Sequence, residues 1–284
     1  MAQPSAHRRL LGTDRAPTER RGARRVDSAA MRPLVPVRRA TAYDARFVTR
    51  SALFWPLARA ARLLEAYDDF PAPAVLDGVF EGDPPVRFVP AKPRSRRRGR
   101  PVDVREMYDG RITLDRCVPT RAGCWHDLMN ALVWGTFPLA KSALHARQHR
   151  AMAERVVEGA QTLPSARTRE QDALALLDEG GIVVLAADPD AARTTLRERP
   201  EALREMLASR AANAVIFGHA IYESLALGVS PAAVAAIVLP RDTSAGDAVR
   251  AADSALARAL VDETRLRAPD ELCRVDVRDA SLPG

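Results

Sequence analysis

Two long stretches with almost no charge constrain the fold of this 284-residue chain most strongly. Ala122–Ala140 contains one charged residue, Asp127, and Ala211–Pro240 contains one, Glu223. Stretches this apolar belong in a protein core, and an isolated buried carboxylate costs on the order of several kcal/mol unless it is protonated or paired. The sequence therefore predicts that each of these two acids meets a partner inside the protein.

A histidine accompanies each of the two acids. His219 and Glu223 are four residues apart, so they share one face of a helix, whereas His126-Asp127 and Asn130 fall on a second, short helix. The most economical arrangement brings both pairs into one cleft. His126, Asp127, His219 and Glu223 are therefore predicted to be catalytic, or to bind one divalent metal ion. The pattern equally allows a structural hydrogen-bond network that pins two helices.

The second stretch, Ala211–Pro240, is long enough to raise the question of a membrane span. Gly228 and Pro231 interrupt it, and the roughly 17 remaining helical residues include His219 and Glu223, which makes the segment short and polar for a span. A core helix is predicted, and no membrane span.

Several charged or amide side chains near these stretches are predicted to contact a substrate. Lys141 or Arg121 would lie at the edge of the cleft and hold the negative group of a small anionic ligand. Acids at the C-terminal end of a helix interact unfavourably with its dipole unless they have a partner. Asp178 and Glu179 occupy such positions and are therefore predicted to contact a ligand or another partner. The predicted substrate-binding set is Arg121, Asn130, Lys141, Asp172, Asp178 and Glu179.

Known catalytic signatures are mostly absent from the sequence, which has no Walker loop and no G-x-G-x-x-G. His145 and His149 have the spacing of a zincin helix, but Ala146 stands where the catalytic glutamate belongs. A solvated pair is therefore predicted for these two histidines, rather than a metal site.

The net charge of +7 is concentrated in the first 40 residues, which hold ten arginines and three acids. This segment is predicted to be a disordered arm, followed by a single globular domain over residues 41–284. Residues 91–101 form a basic loop with an R-G-R-P sequence of the kind that enters the DNA minor groove. Because 41 of the 43 basic residues are arginine, the pattern reflects codon bias, and specific nucleic-acid binding is not expected.

Cysteine usage points to the cytoplasm. The three cysteines have no C-x-x-C pair, and the N-terminal segment has no apolar stretch of signal-peptide length. Met31 is a second candidate start.

The hydrophobic periodicity predicts a mainly α (α+β) protein with a helical core and a small β-sheet or hairpin. Helices are predicted at Arg50–Tyr67, His126–Trp134, Pro138–Glu158, Arg167–Glu179, from Asp188-Pro189, Glu201–Leu227 and Gly246–Val261. The helix Glu201–Leu227 is either continuous or broken near Arg210. Strands are predicted at Val86–Val89, Arg111–Cys117, Ile182–Ala186, Ala236–Leu239 and Arg274–Val277.

Three ordered blocks over about residues 105–240 resemble a bacterial family of unknown function, DUF3025. The first block runs from Thr120-Arg121 to Lys141, the second from Asp172 to Gly181, and the third covers Phe217-Gly218-His219-Ala220 with Glu223. The resemblance implies no activity; it implies only that the polar residues selected above on physical grounds also define the family.

The sequence leaves three hypotheses for function. The first is a hydrolase acting on a small anionic substrate, with His219 as general base oriented by Glu223, or with one divalent metal ion held by the two histidine-acid pairs. The second is a non-catalytic protein-binding module with a structural buried polar network. The third is a DNA-associated protein that uses the arginine-rich loop.

Overall fold

The computed structural model describes residues 42–92, 100–229, 231, 233–242 and 246–277. The predicted arm lies outside the described residues, as do residues 93–99 of the basic loop. All described residues fall in one compact unit of the chain, and the single globular domain from residue 41 stays a prediction. Among the described helices, none has the length and apolar character to cross a bilayer.

The chain is mainly α with two small sheets, as predicted. The α-helices are α1 (Ala58–Ala61), α2 (Tyr108–Asp115), α3 (Trp125–Thr136), α4 (Pro138–Ala153), α5 (Arg169–Gly180), α6 (Pro189–Glu198), α7 (Leu203–Ala208), α8 (His219–Ala226) and α9 (Ala248–Val261). The strands are β1 (Arg87–Pro90), β2 (Cys117–Thr120), β3 (Gly181–Ala186), β4 (Ala212–Ile216), β5 (Ala233–Pro240) and β6 (Cys273–Asp276). Short 3-10 turns lie at Ala45–Arg50, Ala52–Leu57, Arg62–Ala66, Pro73–Val79, Val104–Glu106, Pro200–Ala202 and Pro269–Glu271.

Local capping residues explain why several helices begin where the sequence predicts. Thr168 and Gln171 form a capping box at the start of α5. The Asp188 carboxylate accepts the amides of Asp190 and Ala191 ahead of α6, which has Pro189 in its first turn. These short-range contacts need no tertiary partner, so the sequence alone locates the helix ends.

The larger sheet has the order β4-β3-β5-β6 and is mixed. β3 pairs in parallel with β5 and antiparallel with β4, and every residue of β3 is buried. β1 and β2 form a separate parallel pair. Because β3 begins directly after α5, the antiparallel partner β4 delivers the start of α8 to the C-terminal end of α5.

Three predicted elements are wrong. Arg111–Cys117, predicted as a strand, is mostly the end of α2, and the strand β2 begins only at its last residue. The predicted helix Glu201–Leu227 contains β4, so Val215 and Ile216 are strand residues that pair with β3 instead of flanking His219 on a helix. Arg50–Tyr67 is a series of 3-10 turns around the four-residue α1.

Gly218 is where β4 passes into α8. The amides of Phe217 and Gly218 both donate to the carbonyl of Gly181, at 3.0 and 2.8 Å. A Cβ atom at position 218 would lie 2.5 Å from the Gly181 nitrogen and 2.6 Å from the Glu179 carbonyl oxygen. Only glycine permits this close approach, which places His219 beside the acids at the end of α5.

Candidate functional site

His126 and His219 lie at the centre of the candidate site. His126 is in the first turn of α3, and His219 is the first residue of α8. Their ring centroids are 4.5 Å apart, and the two Nε2 atoms are separated by 3.1 Å. The Nδ1 atom of His126 lies 2.9 Å from Oε2 of Glu223, which is one turn after His219 on α8. The packing of α3 on α8 therefore brings together three of the four residues predicted to share a cleft.

The acids at the end of α5 close the other side of the site. Oε2 of Glu179 lies 3.5 Å from Nε2 of His219, and Oδ1 of Asp178 lies 3.7 Å from Nδ1 of the same ring. The Nδ1 atom of His219 is buried and makes no hydrogen bond among the described residues. Both histidines thus turn Nε2 toward a common point and Nδ1 toward a carboxylate.

Lys141 lies beneath this site rather than at its edge. Its side chain is fully buried, and Nζ donates to Oδ1 of Asp178 at 2.6 Å. Nζ also lies 5.7 Å from the centroid of the Trp134 ring, which stabilises the ammonium further. Because its charge is matched by Asp178 and shielded from solvent, Lys141 supports the site from behind and does not present its charge to a ligand.

Neighbouring charges lower the pKa of Asp178 and raise the pKa of His126. Burial alone would raise the pKa of Asp178, but the Lys141 ammonium acts together with the neighbouring His219 and His145, and their combined effect holds this pKa well below the usual aspartate value. Burial also opposes the charged form of His126, yet the hydrogen bond to Glu223 and the charge of Glu179 outweigh it and raise the His126 pKa.

Asp127 does not join the histidine cluster through a hydrogen bond of the described residues. Its carboxylate accepts the backbone amide of Arg121 at 2.6 Å and pairs with the Arg121 guanidinium through Nε and Nη2, the latter at 2.7 Å. The Arg121 side chain is 62% exposed. The pair therefore holds one exposed cation beside the start of α3, where His126 lies.

Asn130 and Asp172 have different surroundings. Asn130 is buried on α3 and donates from Nδ2 to the hydroxyl of Tyr108 at 3.1 Å. Asp172 is exposed in the first turn of α5 and has no described contact with the histidine cluster. The structure thus brings Asp178 and Glu179 to the histidines, and leaves Asp172 on the surface of the same helix.

The prediction of a solvated pair is wrong for His145. Its ring is buried, stacks on Trp134 with centroids 5.4 Å apart, and places Nδ1 2.8 Å from Oδ1 of Asp109. Burial lowers the pKa of His145, and the nearby charge of Lys141 lowers it further. Asp109 reaches His145 because α2 packs on α4, a contact across 36 residues that the spacing of the two histidines does not indicate.

Three side chains of the site form a group that could hold a metal ion. One donor atom each from His126, Glu179 and His219 lies within 4.8 Å of the other two. Two ligands at a tetrahedral angle, each 2.0–2.1 Å from one zinc ion, lie about 3.3–3.4 Å apart. The separations of 3.1 Å between the two Nε2 atoms and 3.5 Å between His219 and Glu179 bracket that value. Of the residues predicted as metal ligands, Asp127 and Glu223 are absent from this group, and Glu179 was predicted only to bind substrate.

The fold and the cluster together define a mainly α protein with a candidate two-histidine, one-carboxylate site between α3, α5 and α8. The family model for DUF3025, a protein family of unknown function, matches residues 96–278. The chain therefore belongs to this family, which confirms the resemblance and extends it beyond residues 105–240. No match is found among curated proteins or among solved structures.

Proposed function

We propose that this chain is a divalent-metal-dependent hydrolase acting on a small anionic substrate. The observation that carries the proposal is that both histidines direct Nε2 to one point while a carboxylate stands at each Nδ1. Metal-bound histidines in proteins nearly always have such a partner on the other ring nitrogen, because it fixes the tautomer and the ring orientation. Here Glu223 is such a partner for His126, at 2.9 Å, whereas Asp178 faces Nδ1 of His219 at 3.7 Å, beyond hydrogen-bond distance.

The residues divide into ligands and supporting groups. His126, His219 and Glu179 would hold the metal ion, and a bound ion would supply Lewis-acid activation of the attacking water. Glu179 is 50% exposed, so the cluster is open to solvent on that side and a substrate can reach it. Arg121 binds the anionic group, since its pairing with Asp127 engages Nε and Nη2 and leaves Nη1 as a further donor.

Metal binding is tested first. The purified full chain is stripped with a chelator and titrated with Zn²⁺ and with Mn²⁺ in a calorimeter. We expect one ion per chain, and at least tenfold weaker affinity in Glu179→Gln and in His126→Ala. Asp172→Asn, a change on the same helix outside the cluster, is the matched control and should bind as the wild type does. Absence of stoichiometric binding, or equal affinity in the Glu179→Gln variant, refutes the metal site.

Hydrolysis is tested separately with the metal-loaded protein. Nitrophenyl esters of phosphate and of acetate compare an anionic with a neutral substrate. We expect turnover of the phosphate ester that is lost in His126→Ala, and a raised KM in Arg121→Gln with little change in kcat. Metal binding without turnover of any such ester would leave a structural or regulatory metal site and remove the hydrolase proposal.

One observation favours a second candidate function, that of a non-catalytic protein-binding module. The Lys141 side chain is fully buried and pairs with Asp178. Nearby, Asn130 is hydrogen-bonded to Tyr108, and His145 is hydrogen-bonded to Asp109. Such a network can be architectural. In that case Glu179→Gln and His126→Ala lower stability with no change in metal content.

A further inference from the structure

A cavity away from the histidine cluster is bounded by α6, β5 and the segment after α9. Its volume is about 280 Å³, and three arginine side chains line it: Arg193, Arg197 and Arg265. Arg193 and Arg197 are four residues apart and therefore share one face of α6. The cavity shares no lining residue with the candidate metal site, so its chemistry is independent of the proposed hydrolase.

The positive charge in this cavity is poorly compensated. Among the described residues, no carboxylate lies within salt-bridge distance of the Arg265 or the Arg197 guanidinium. Arg197 donates to the backbone carbonyl of Asp270 at 3.0 Å, and the Asp270 carboxylate pairs with Arg169 at 2.9 Å. The Asp190 partner of Arg193 is 86% exposed, and an ion pair with so exposed an acid is weak.

Glu271 is the acid among the described residues that line the cavity, and its oxygens already accept hydrogen bonds from the backbone. Its two carboxylate oxygens accept the backbone amides of Leu266, Arg267 and Ala268, with the Leu266 bond at 2.7 Å. These three hydrogen bonds fix the position of the carboxylate and shape the loop. Glu271 offsets part of the positive charge, but three guanidinium groups line the cavity against this one carboxylate.

The loop that carries Arg265 is held rigidly from two sides. Buried Arg147 donates to the carbonyls of Leu260, Asp262 and Arg265, the last at 2.6 Å, and pairs with Glu170 at 2.7 Å. Leu266, which lines the cavity, has a φ of 54°, a conformation that a leucine adopts only under external constraint. Such a backbone conformation persists only where surrounding contacts hold it in place. The backbone that carries Arg265 is therefore fixed before any ligand binds.

We infer that this cavity binds a small phosphate monoester or inorganic phosphate. Guanidinium groups match phosphate oxygens in geometry and charge, and preorganisation lowers the entropic cost of holding them. Ile237, Val238 and Leu266 add apolar walls that suit a short organic group on the ester. The volume of about 280 Å³ lies just below the range of typical drug-sized sites, which favours a small ligand.

The test uses the full chain, treated with chelator, in a calorimeter at fixed ionic strength. Inorganic phosphate, glycerol 3-phosphate and glycerol are the three titrants. We expect both phosphates to bind and glycerol not to bind. Tighter binding of glycerol 3-phosphate assigns the apolar walls to an ester group, whereas equal affinity assigns the cavity to inorganic phosphate.

Variants locate the binding. Arg193→Gln and Arg265→Gln should each weaken phosphate at least fivefold, and the double variant should abolish measurable binding. Arg199→Gln, an exposed change just beyond α6, should bind as the wild type does. If either Arg265→Gln or Arg193→Gln fails to fold, Arg197→Gln carries the same expectation. No phosphate binding, or binding unchanged in the double variant, overturns the inference.

Discussion

The buried pair of Lys141 and Asp178 gives the sharpest stability prediction. Lys141 is fully buried and Asp178 is 13% exposed, with 2.6 Å between Nζ and Oδ1. At an effective dielectric constant of about 20, two unit charges at that distance attract by about 6 kcal/mol, most of which offsets the cost of removing both from water. Replacing Lys141 by methionine leaves Asp178 buried without its cation, and this should lower the free energy of unfolding by about 3–5 kcal/mol at pH 7.

The pH dependence of that loss has a definite sign. Folding lowers the pKa of Asp178, so the pair's contribution is complete above the unfolded aspartate pKa and is lost as the pH falls toward the folded pKa. In Lys141→Met the carboxyl lacks the ammonium, and burial then favours its protonated form. The deficit relative to the wild type should therefore begin to shrink as the pH falls through the raised pKa of Asp178 in the variant, above the ordinary aspartate value, and should go on shrinking toward the lowered pKa of the wild type.

Urea unfolding followed by circular dichroism measures these quantities for the wild type, Lys141→Met, Asp178→Asn and the double variant. The double variant buries no charge at this position, so its loss should be clearly smaller than the sum of the two single losses. Arg150→Met is the matched control on α4, because Arg150 is 45% exposed and pairs with exposed Glu263; it should cost less than about 1 kcal/mol. The reasoning is refuted if Lys141→Met costs no more than Arg150→Met, or if the two changes at the pair are additive.

Three further predictions concern backbone packing, a buried acid and a buried cation. Gly218→Ala should destabilise the protein by about 1–3 kcal/mol and disturb the histidine site, because its Cβ would meet backbone atoms at 2.5–2.6 Å, whereas Gly246→Ala, with nothing within 4 Å, should be near neutral in thermal unfolding. Burial raises the pKa of Asp253 from 3.8 to about 6. The stabilisation from its protonated carboxyl is therefore complete below pH 4 and is lost as the pH rises through 6, so the free energy of unfolding of the wild type relative to Asp253→Asn should fall by about 3 kcal/mol between pH 4 and pH 8. Arg147→Met should cost about 3 kcal/mol or more in urea, since it removes hydrogen bonds to three backbone carbonyls; a loss below 1 kcal/mol would show that the loop does not depend on Arg147.

Local signals were sufficient for much of the secondary structure. The capping residues at α5 and α6 locate those helices, and the apolar run at β3 predicts a buried strand. The strand β4 was not predicted, because the composition of Ala212–Ile216 suits a helix equally well. It is a strand because it pairs with β3, and such pairing is a long-range contact that the segment itself does not encode.

The sequence by itself determined that His126, Asp127, His219 and Glu223 lie in charge-poor segments, and that the latter two share one helix face. A short segment carries that information because burial and helical period are local properties. Only the tertiary structure decided which partners meet, since His126 reaches Glu223 across 97 residues and Lys141 reaches Asp178 across 37. The choice of partner follows from how α3, α4, α5 and α8 pack, and packing sums many weak contacts that no single segment contains.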